Sequence, residues 1–188
     1  FGLCRLLKVS GNAYDGILIA CYGDPGLYAA KEICDCPVLG IAETSIAMSF
    51  LLGNRFSILA ASEKAVPMME HMVAQYGMDH RLAGVFPLNM SVLDAEANRG
   101  ETVSRLIEEG KKAVSKGAEV LILGCAGMTG FGGPVSQALG IPVMDPVETS
   151  FLTLEMMCRG GFKTSKNGLY KPPGKKRIKR EYLLTENI

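Results

Sequence analysis

The chain has 188 residues, enough for one large domain or two small ones with a real core. Its 48% hydrophobic against 21% charged residues marks a globular rather than a disordered composition. A formal net charge of +1 offers no global field to nucleic acid or to a membrane surface. No apolar run approaches the roughly 20 residues that span a bilayer, so neither nucleic acid nor membrane is expected as a partner.

In chain order, Phe1-Gly2-Leu3-Cys4-Arg5-Leu6-Leu7-Lys8 starts without methionine in what reads as the middle of a helix, so a fragment of a longer protein is expected. The stretch is too short, and too polar after Leu7, for a secretion signal. Six cysteines (Cys4, Cys21, Cys34, Cys36, Cys125 and Cys158) and ten methionines point, with no such signal, to free thiols in a reducing cytoplasm. Short apolar runs at 16–20, 38–42, 55–60, 119–123 and 141–144 read as strands. They lack alternation of period two, which predicts strands buried on both faces of a parallel sheet. Helical patterns lie between them. The clearest spans 101–116, with Val103, Leu106, Ile107, Gly110 and Val114 on one face and Gly117 as its C-cap. Gly130–Pro134 lacks the Lys-Ser/Thr of a phosphate-binding loop and reads as a flexible turn into a helix at 135–139. The tail from Lys163 to Arg180 is basic, carries Pro172 and Pro173, and reads as a solvated extension. Alternating strands and helices predict an α/β fold with right-handed crossovers, whose ligands bind beyond the C-terminal strand ends.

One phrase occurs twice. Gly-Ile-Leu-Ile-Ala-Cys21-Tyr22-Gly23 is followed by a helix and then Pro37-Val38, ending on Glu43-Thr44-Ser45. Val-Leu-Ile-Leu-Gly-Cys125-Ala126-Gly127 is followed by a helix and then Pro142-Val143, ending on Glu148-Thr149-Ser150. From cysteine to proline is 16 residues in the first copy and 17 in the second. Either cysteine alone reads as a core residue, since free Cys is among the most buried types. The matched context, each at a strand tip before a Gly-containing turn, favours function instead. Free amides at such a turn lower a thiol's pKa and stabilise an enolate oxygen. Two facing thiols, one charged and one protonated, form a matched base and acid. One removes a proton from carbon and the other returns a proton on the opposite face, which is racemisation or epimerisation without a cofactor.

Other candidates are weaker. Cys34-x-Cys36 has no partner pair at metal-ligand spacing, so no metal is expected. His71 falls in a Met-rich amphipathic helix and His80 in a polar turn, and both read as surface or packing residues. No Ser-His-Asp arrangement is evident.

The stretches IACYGDPG, PVLGIAE, RFSIL, LILGCAGM, PVMDPVE and TSKNGLYKPP together carry a resemblance over nearly the whole chain. The chain resembles the Asp/Glu/hydantoin racemase superfamily, and within it the hydantoin and allantoin racemases. That resemblance implies two similar Rossmann-like α/β subdomains with parallel sheets, related by a pseudo-twofold axis, with the active site between them. The first would comprise 1–46 plus 147–188 and the second 47–146. It implies Cys21 and Cys125 as the acid/base thiols, with backbone amides around Gly23, Asp24, Ala126 and Gly127 holding the ring carbonyls. The followers Tyr22-Gly23-Asp24 and Ala126-Gly127-Met128 favour a cyclic ureide substrate over an amino acid. Family members often carry Thr-Thr after the RFSI strand. Ala60 and Ala61 stand there, with Ser62 next, which implies a less polar ring. The family also begins with a strand bearing Asn-Pro-Asn, which would lie before Phe1. The implied activity is cofactor-independent racemisation of 5-substituted hydantoins at ring C5. The alternatives are an allantoin racemase or another isomerase of the superfamily, and a non-catalytic small-molecule binder or inactive fragment. Apolar surface left by an incomplete subdomain would favour a homo-oligomer.

Overall fold

The computed structural model describes residues 14–172 and 174. Cys4, the helix expected at the N-terminus and the basic run from Lys175 to Arg180 lie outside the described residues. In order the elements are β1 (Ile17–Ile19), α1 (Leu27–Ile33), β2 (Val38–Gly40), α2 (Ile41–Ser49), β3 (Phe56–Ala60), α3 (Val66–Gln75) and β4 (Leu82–Pro87). Then follow α4 (Val92–Ala97), α5 (Arg99–Ser115), β5 (Val120–Leu123), α6 (Gly132–Leu139), β6 (Val143–Met144) and α7 (Pro146–Arg159).

The strands form two parallel sheets. β1 pairs with β2 from Ile17↔Val38 to Ile19↔Gly40. The larger sheet runs β4-β3-β5-β6, with Ile58 opposite Ile122 and Leu121 opposite Val143. Every residue of β3 and β5 is buried. One face of this sheet packs Phe56, Ile58, Val120 and Ile122 against Ile41 and Ile46 of α2 and Met69 and Val73 of α3. The other packs Leu59, Leu121 and Leu123 against Leu106 and Ala113 of α5 and Val135 of α6. Two covered faces explain the unbroken apolar runs.

β4 is an element that the apolar pattern did not reveal. Its sequence, Leu82-Ala83-Gly84-Val85-Phe86-Pro87, is punctuated by a glycine and a proline. Both have positional reasons. The register slips at Gly84 (φ 150°), so Ser57 faces Gly84 while Phe56 faces Leu82. Pro87 is tolerated because β4 is an edge strand. Two helix expectations also need correction. The buried face of α5 runs through Leu106, Gly110 and Ala113, while Val114 is 38% exposed. Steps of four and seven from Leu106 stay on one face, and the eighth residue has rotated off it. The helix after the second cysteine starts at Gly132 rather than 135, because Pro134 sits in its first turn, where a missing N–H costs nothing.

The small sheet is covered by α1 through Ile19, Leu27, Ala30, Cys34 and Val38. It is also covered by α7, which packs against β1, β2 and α2 after the chain leaves β6. The terminal segment is partly docked rather than wholly solvated. The Lys166 ammonium donates to the carbonyls of Lys31, Glu32 and Cys34 at the C-terminal end of α1, where helix carbonyls and dipole both favour a cation. Tyr170 packs on Tyr28, with ring centroids 5.9 Å apart, and on the Lys31 ammonium at 5.3 Å.

Close packing fixes the helix on the far side of the larger sheet. A Cβ on Gly110 would lie 2.5 Å from Leu139 Cδ1 and 3.1 Å from Leu121 Cδ1. Gly110→Val should therefore lower the unfolding free energy by about 1–3 kcal/mol, despite removing a helix glycine. The readout is a lower urea midpoint at unchanged slope. An unchanged midpoint would show that this contact is not tight.

Candidate active site

Both expected cysteines leave a parallel strand at its C-terminal end. Cys21 follows β1 and is exposed, and Cys125 follows β5 and is partly buried. The turns that carry them share their first hydrogen bond, and the second adds one from the Thr129 N–H to the Ala126 carbonyl, where Pro25 in the first has no N–H to give. The Cys21 carbonyl accepts from the Asp24 N–H at 2.9 Å, and the Cys125 carbonyl accepts from the Met128 N–H at 3.0 Å. Five residues after each cysteine stands a left-handed glycine, Gly26 (φ 75°) and Gly130 (φ 85°), which only glycine adopts freely. The amides of Tyr22 and Gly23, and of Ala126 and Gly127, have no acceptor among the described residues. The amides of Asp24 and Met128 are consumed inside the turns.

Two consecutive residues of α3 reach the Cys21 turn at Gly23 and the strand end just before Cys125 at Gly124. A Cβ on Gly23 would lie 3.8 Å from Met68 Sδ, and one on Gly124 would lie 3.0 Å from Met69 Cε. Adjacent Cα atoms are about 3.8 Å apart, so both cysteine turns border the start of α3.

The Cys21 turn is pinned from two sides. Tyr22 is 4% exposed and belongs to the buried cluster that also holds Ile41, Ile58, Ala60 and Met69. Burial pushes its phenol pKa well up. Asp24, 8% exposed and at φ 43°, sends its carboxylate to the N-terminus of α2. There it accepts from the Ala42 N–H at 3.1 Å, the Glu43 N–H at 2.8 Å and the Tyr76 hydroxyl at 3.3 Å. Burial pushes the Asp24 carboxyl pKa up, the two amide bonds pull against this, and the nearby Glu43 charge adds to the rise.

Around Cys125 the walls are apolar apart from Ser91. Cys125 and Gly127 border a narrow cleft with Ala61, Leu88, Met90 and Met128. The segment after β4 is stitched to the end of β3 by Leu88 N–H to Ala60 carbonyl at 2.8 Å and Met90 N–H to Ala61 carbonyl at 3.1 Å. Ala60 itself is fully buried and lies in the core rather than in the cleft, whereas Ser62 is exposed. Leu88 and Met90 were not foreseen, because they follow the strand that the pattern did not reveal. Asp145 was not foreseen either, although Asp-Pro before an apolar run is a helix-start signal. It caps α7 by accepting from the Val147 and Glu148 amides.

The remaining candidates stand elsewhere. His71 and His80 are exposed. No group of three or more His, Cys, Asp or Glu able to hold a metal occurs among the described residues. No helix among them is long and apolar enough to cross a membrane.

A family model described as Asp/Glu/Hydantoin racemase matches residues 3–152. The hydantoin racemase of Pseudomonas sp. (strain NS671) is 42% identical over 173 residues, 92% of this chain and 70% of that protein. The hydantoin racemase of Paenarthrobacter aurescens is 39% identical over 166 residues, 88% of this chain and 70% of that protein. The chain belongs to the Asp/Glu/hydantoin racemase family. It is a racemase of that family, and so an isomerase. Its parallel α/β architecture is that of the solved allantoin racemase from Klebsiella pneumoniae, with a TM-score of 0.86 at 31% identity over 95% of this chain and 74% of that one.

The buried Asp24 gives this racemase a specific pH signature. Because the folded state raises its pKa, the folded chain binds that proton more tightly than the unfolded chain does. The associated stability is fully present below the ordinary carboxylate range and is lost as pH rises through the raised value. Asp24→Asn cannot titrate, so urea midpoints at closely spaced pH should show a flatter decline across that interval. Equal slopes in both proteins would show that Asp24 contributes nothing to the pH dependence.

Proposed function

We propose that the chain is a cofactor-independent racemase of 5-substituted hydantoins in which Cys21 and Cys125 form the acid–base pair. The observation that carries this reading is the repetition of one cysteine turn, with the same internal hydrogen bond, at two strand ends that border the same helix start. One cysteine as thiolate takes the C5 proton, so that the C5–H bond breaks and an S–H bond forms. The electron pair moves onto the C4 carbonyl oxygen as an enolate. The second cysteine, as thiol, returns a proton to C5 on the opposite face and becomes the thiolate. The pair has then exchanged protonation states and is poised for the other enantiomer.

The free amides of Tyr22, Gly23, Ala126 and Gly127 are the proposed donors to the ring carbonyls. Proton transfer by positioned groups contributes about 10²–10⁴-fold, and one oxyanion donor about 10²–10³-fold, so both are required. In this scheme the substrate lies between the unit formed by 1–46 with 147–188 and the unit 47–146. A reducing cytoplasm is the proposed location, and Cys21 and Cys125 act there as thiols.

The likeness to the Klebsiella pneumoniae allantoin racemase favours a second reading, racemisation of allantoin. The higher identity to the two hydantoin racemases, 42% and 39% against 31% to the allantoin racemase, favours the hydantoin reading.

The test is isotope exchange in D₂O with single enantiomers of 5-benzylhydantoin and of allantoin. The C5–H signal and the optical rotation are followed against a protein-free control. Faster loss of both with 5-benzylhydantoin is expected. Cys21→Ser and Cys125→Ser should each reduce racemisation by about 10²-fold or more. Normal racemisation in both single variants would overturn the two-thiol mechanism.

A further inference from the structure

In both copies of the repeat a carboxylate caps the helix that follows the second strand, but it comes from a different place in the chain. In the first copy Asp24, within the Cys21 turn, reaches across to the amides of Ala42 and Glu43 at 3.1 and 2.8 Å. In the second copy Asp145, at the end of β6, takes the amides of Val147 and Glu148 at 3.0 and 3.2 Å. The motifs align Ala42 with Val147 and Glu43 with Glu148, so the two carboxylates hold the same pair of donors. The residue aligned with Asp145 is Gly40, and a Cβ there would fall 2.2 Å from the Asp24 carboxyl carbon. The residue aligned with Asp24 is Met128. Each copy thus has one carboxylate, and lacks one at the position where the other copy keeps it.

Each carboxylate also holds a cysteine turn. Asp24 is part of one, with its own N–H on the Cys21 carbonyl at 2.9 Å. Asp145 reaches back to the other. Its Oδ2 accepts from the Gly130 N–H at 2.8 Å, and its Oδ1 lies 3.5 Å from the Thr129 hydroxyl.

We infer that Asp24 and Asp145 are positioning residues for Cys21 and Cys125 respectively, each locking its own cysteine turn to a helix N-terminus. The catalytic consequence rests on the two-thiol reading, and the geometry does not.

The backbone permits a direct test by transplantation. Gly40 (φ −103°, ψ 147°) and Asp145 (φ −79°, ψ 114°) are both extended, so aspartate is compatible with position 40. Asp24 sits at φ 43°, where glycine is unstrained. D24G should lose the cap, and G40D alone should collide with Asp24. D24G/G40D should rebuild in the first copy the arrangement of the second.

The readout is the rate–pH profile of iodoacetamide alkylation at Cys21 and Cys125, resolved by peptide mass spectrometry well below the melting temperature, beside Tm. D24N should shift the Cys21 profile several-fold and leave Cys125 unchanged. D145N should do the reverse. D145S keeps a helix cap, but its single oxygen cannot also serve Gly130, so it should move Cys125 with little loss of Tm. D24G/G40D should recover both the Tm and the Cys21 profile lost in D24G. In exchange assays D24N and D145N should lower kcat by about 10–10²-fold with KM little changed, the scale of roughly a 1 Å misplacement.

Two outcomes would overturn the inference. In one, both cysteines respond together or neither responds. In the other, D24G/G40D restores Tm while Cys21 stays as in D24G, so that the carboxylates are caps alone. If the unmodified protein exchanges no C5 proton, the two-thiol reading fails, and the alkylation profiles still decide this one.

Discussion

The parallel pairing of β3 with β5, covered on both faces, is the constraint on which the rest of the structure depends. All of Phe56–Ala60 and Val120–Leu123 is buried. Strands in that position must be apolar throughout and must be roofed by helices on each side, which α2 and α3 do on one face and α5 and α6 on the other. Because the strands are parallel, their C-terminal ends emerge at one edge. Ala61 and Cys125 leave the sheet there together. Gly124, between β5 and the cysteine, donates to the Leu59 carbonyl at 2.8 Å, and a Cβ on it would sit 2.8 Å from that same oxygen. The Cys125 thiol therefore takes its place from strand register, with no tolerance for a larger residue before it.

The other thiol depends on the same sheet by a less direct route. Cys21 follows a strand of only three residues, paired among the described residues with one other strand, and such a pair is marginal unaided. Its turn is held by the ring of Tyr22 in the core above β3, and by the hydrogen bond from Tyr76, at the end of α3, to Asp24. α7 closes the arrangement by leaving the larger sheet at β6 and packing on β1, β2 and α2. Lys166 and Tyr170 then fix α1 from the terminal segment. The polar ties converge on the start of α2, so a buried carboxylate there serves fold and site at once.

Among the described residues, five of the six strands were legible as apolar runs because burial on both faces leaves an unmistakable composition. β4 was not, because an edge strand with a bulge glycine and a terminal proline shows the punctuation of a loop. The long helix after it was legible from its period, and only the edge of its buried face was misjudged, at Val114. The cysteine turns were legible for a different reason: the phrase occurs twice, and coincidence rarely repeats a strand, a thiol and a glycine in the same order. Leu88 and Met90 were hidden with β4. Asp24 was visible, but as a member of a loop that would offer its amide. That amide turned out to be committed to Cys21, and its carboxylate to a helix.

The sequence by itself determined the fold class, the two cysteine turns and the membership of a racemase family, because each rests on local order that survives in one dimension: period, repetition and motif. The tertiary structure decided where the polar groups spend their hydrogen bonds. Asp24 and Ala42 are 18 residues apart, and Tyr76 and Asp24 are 52 apart. Contacts at such separations are set by how the sheets and helices pack, and no local pattern encodes them. Whether a carboxylate faces a ligand or a helix end is settled only when the buried amides of that helix need a partner.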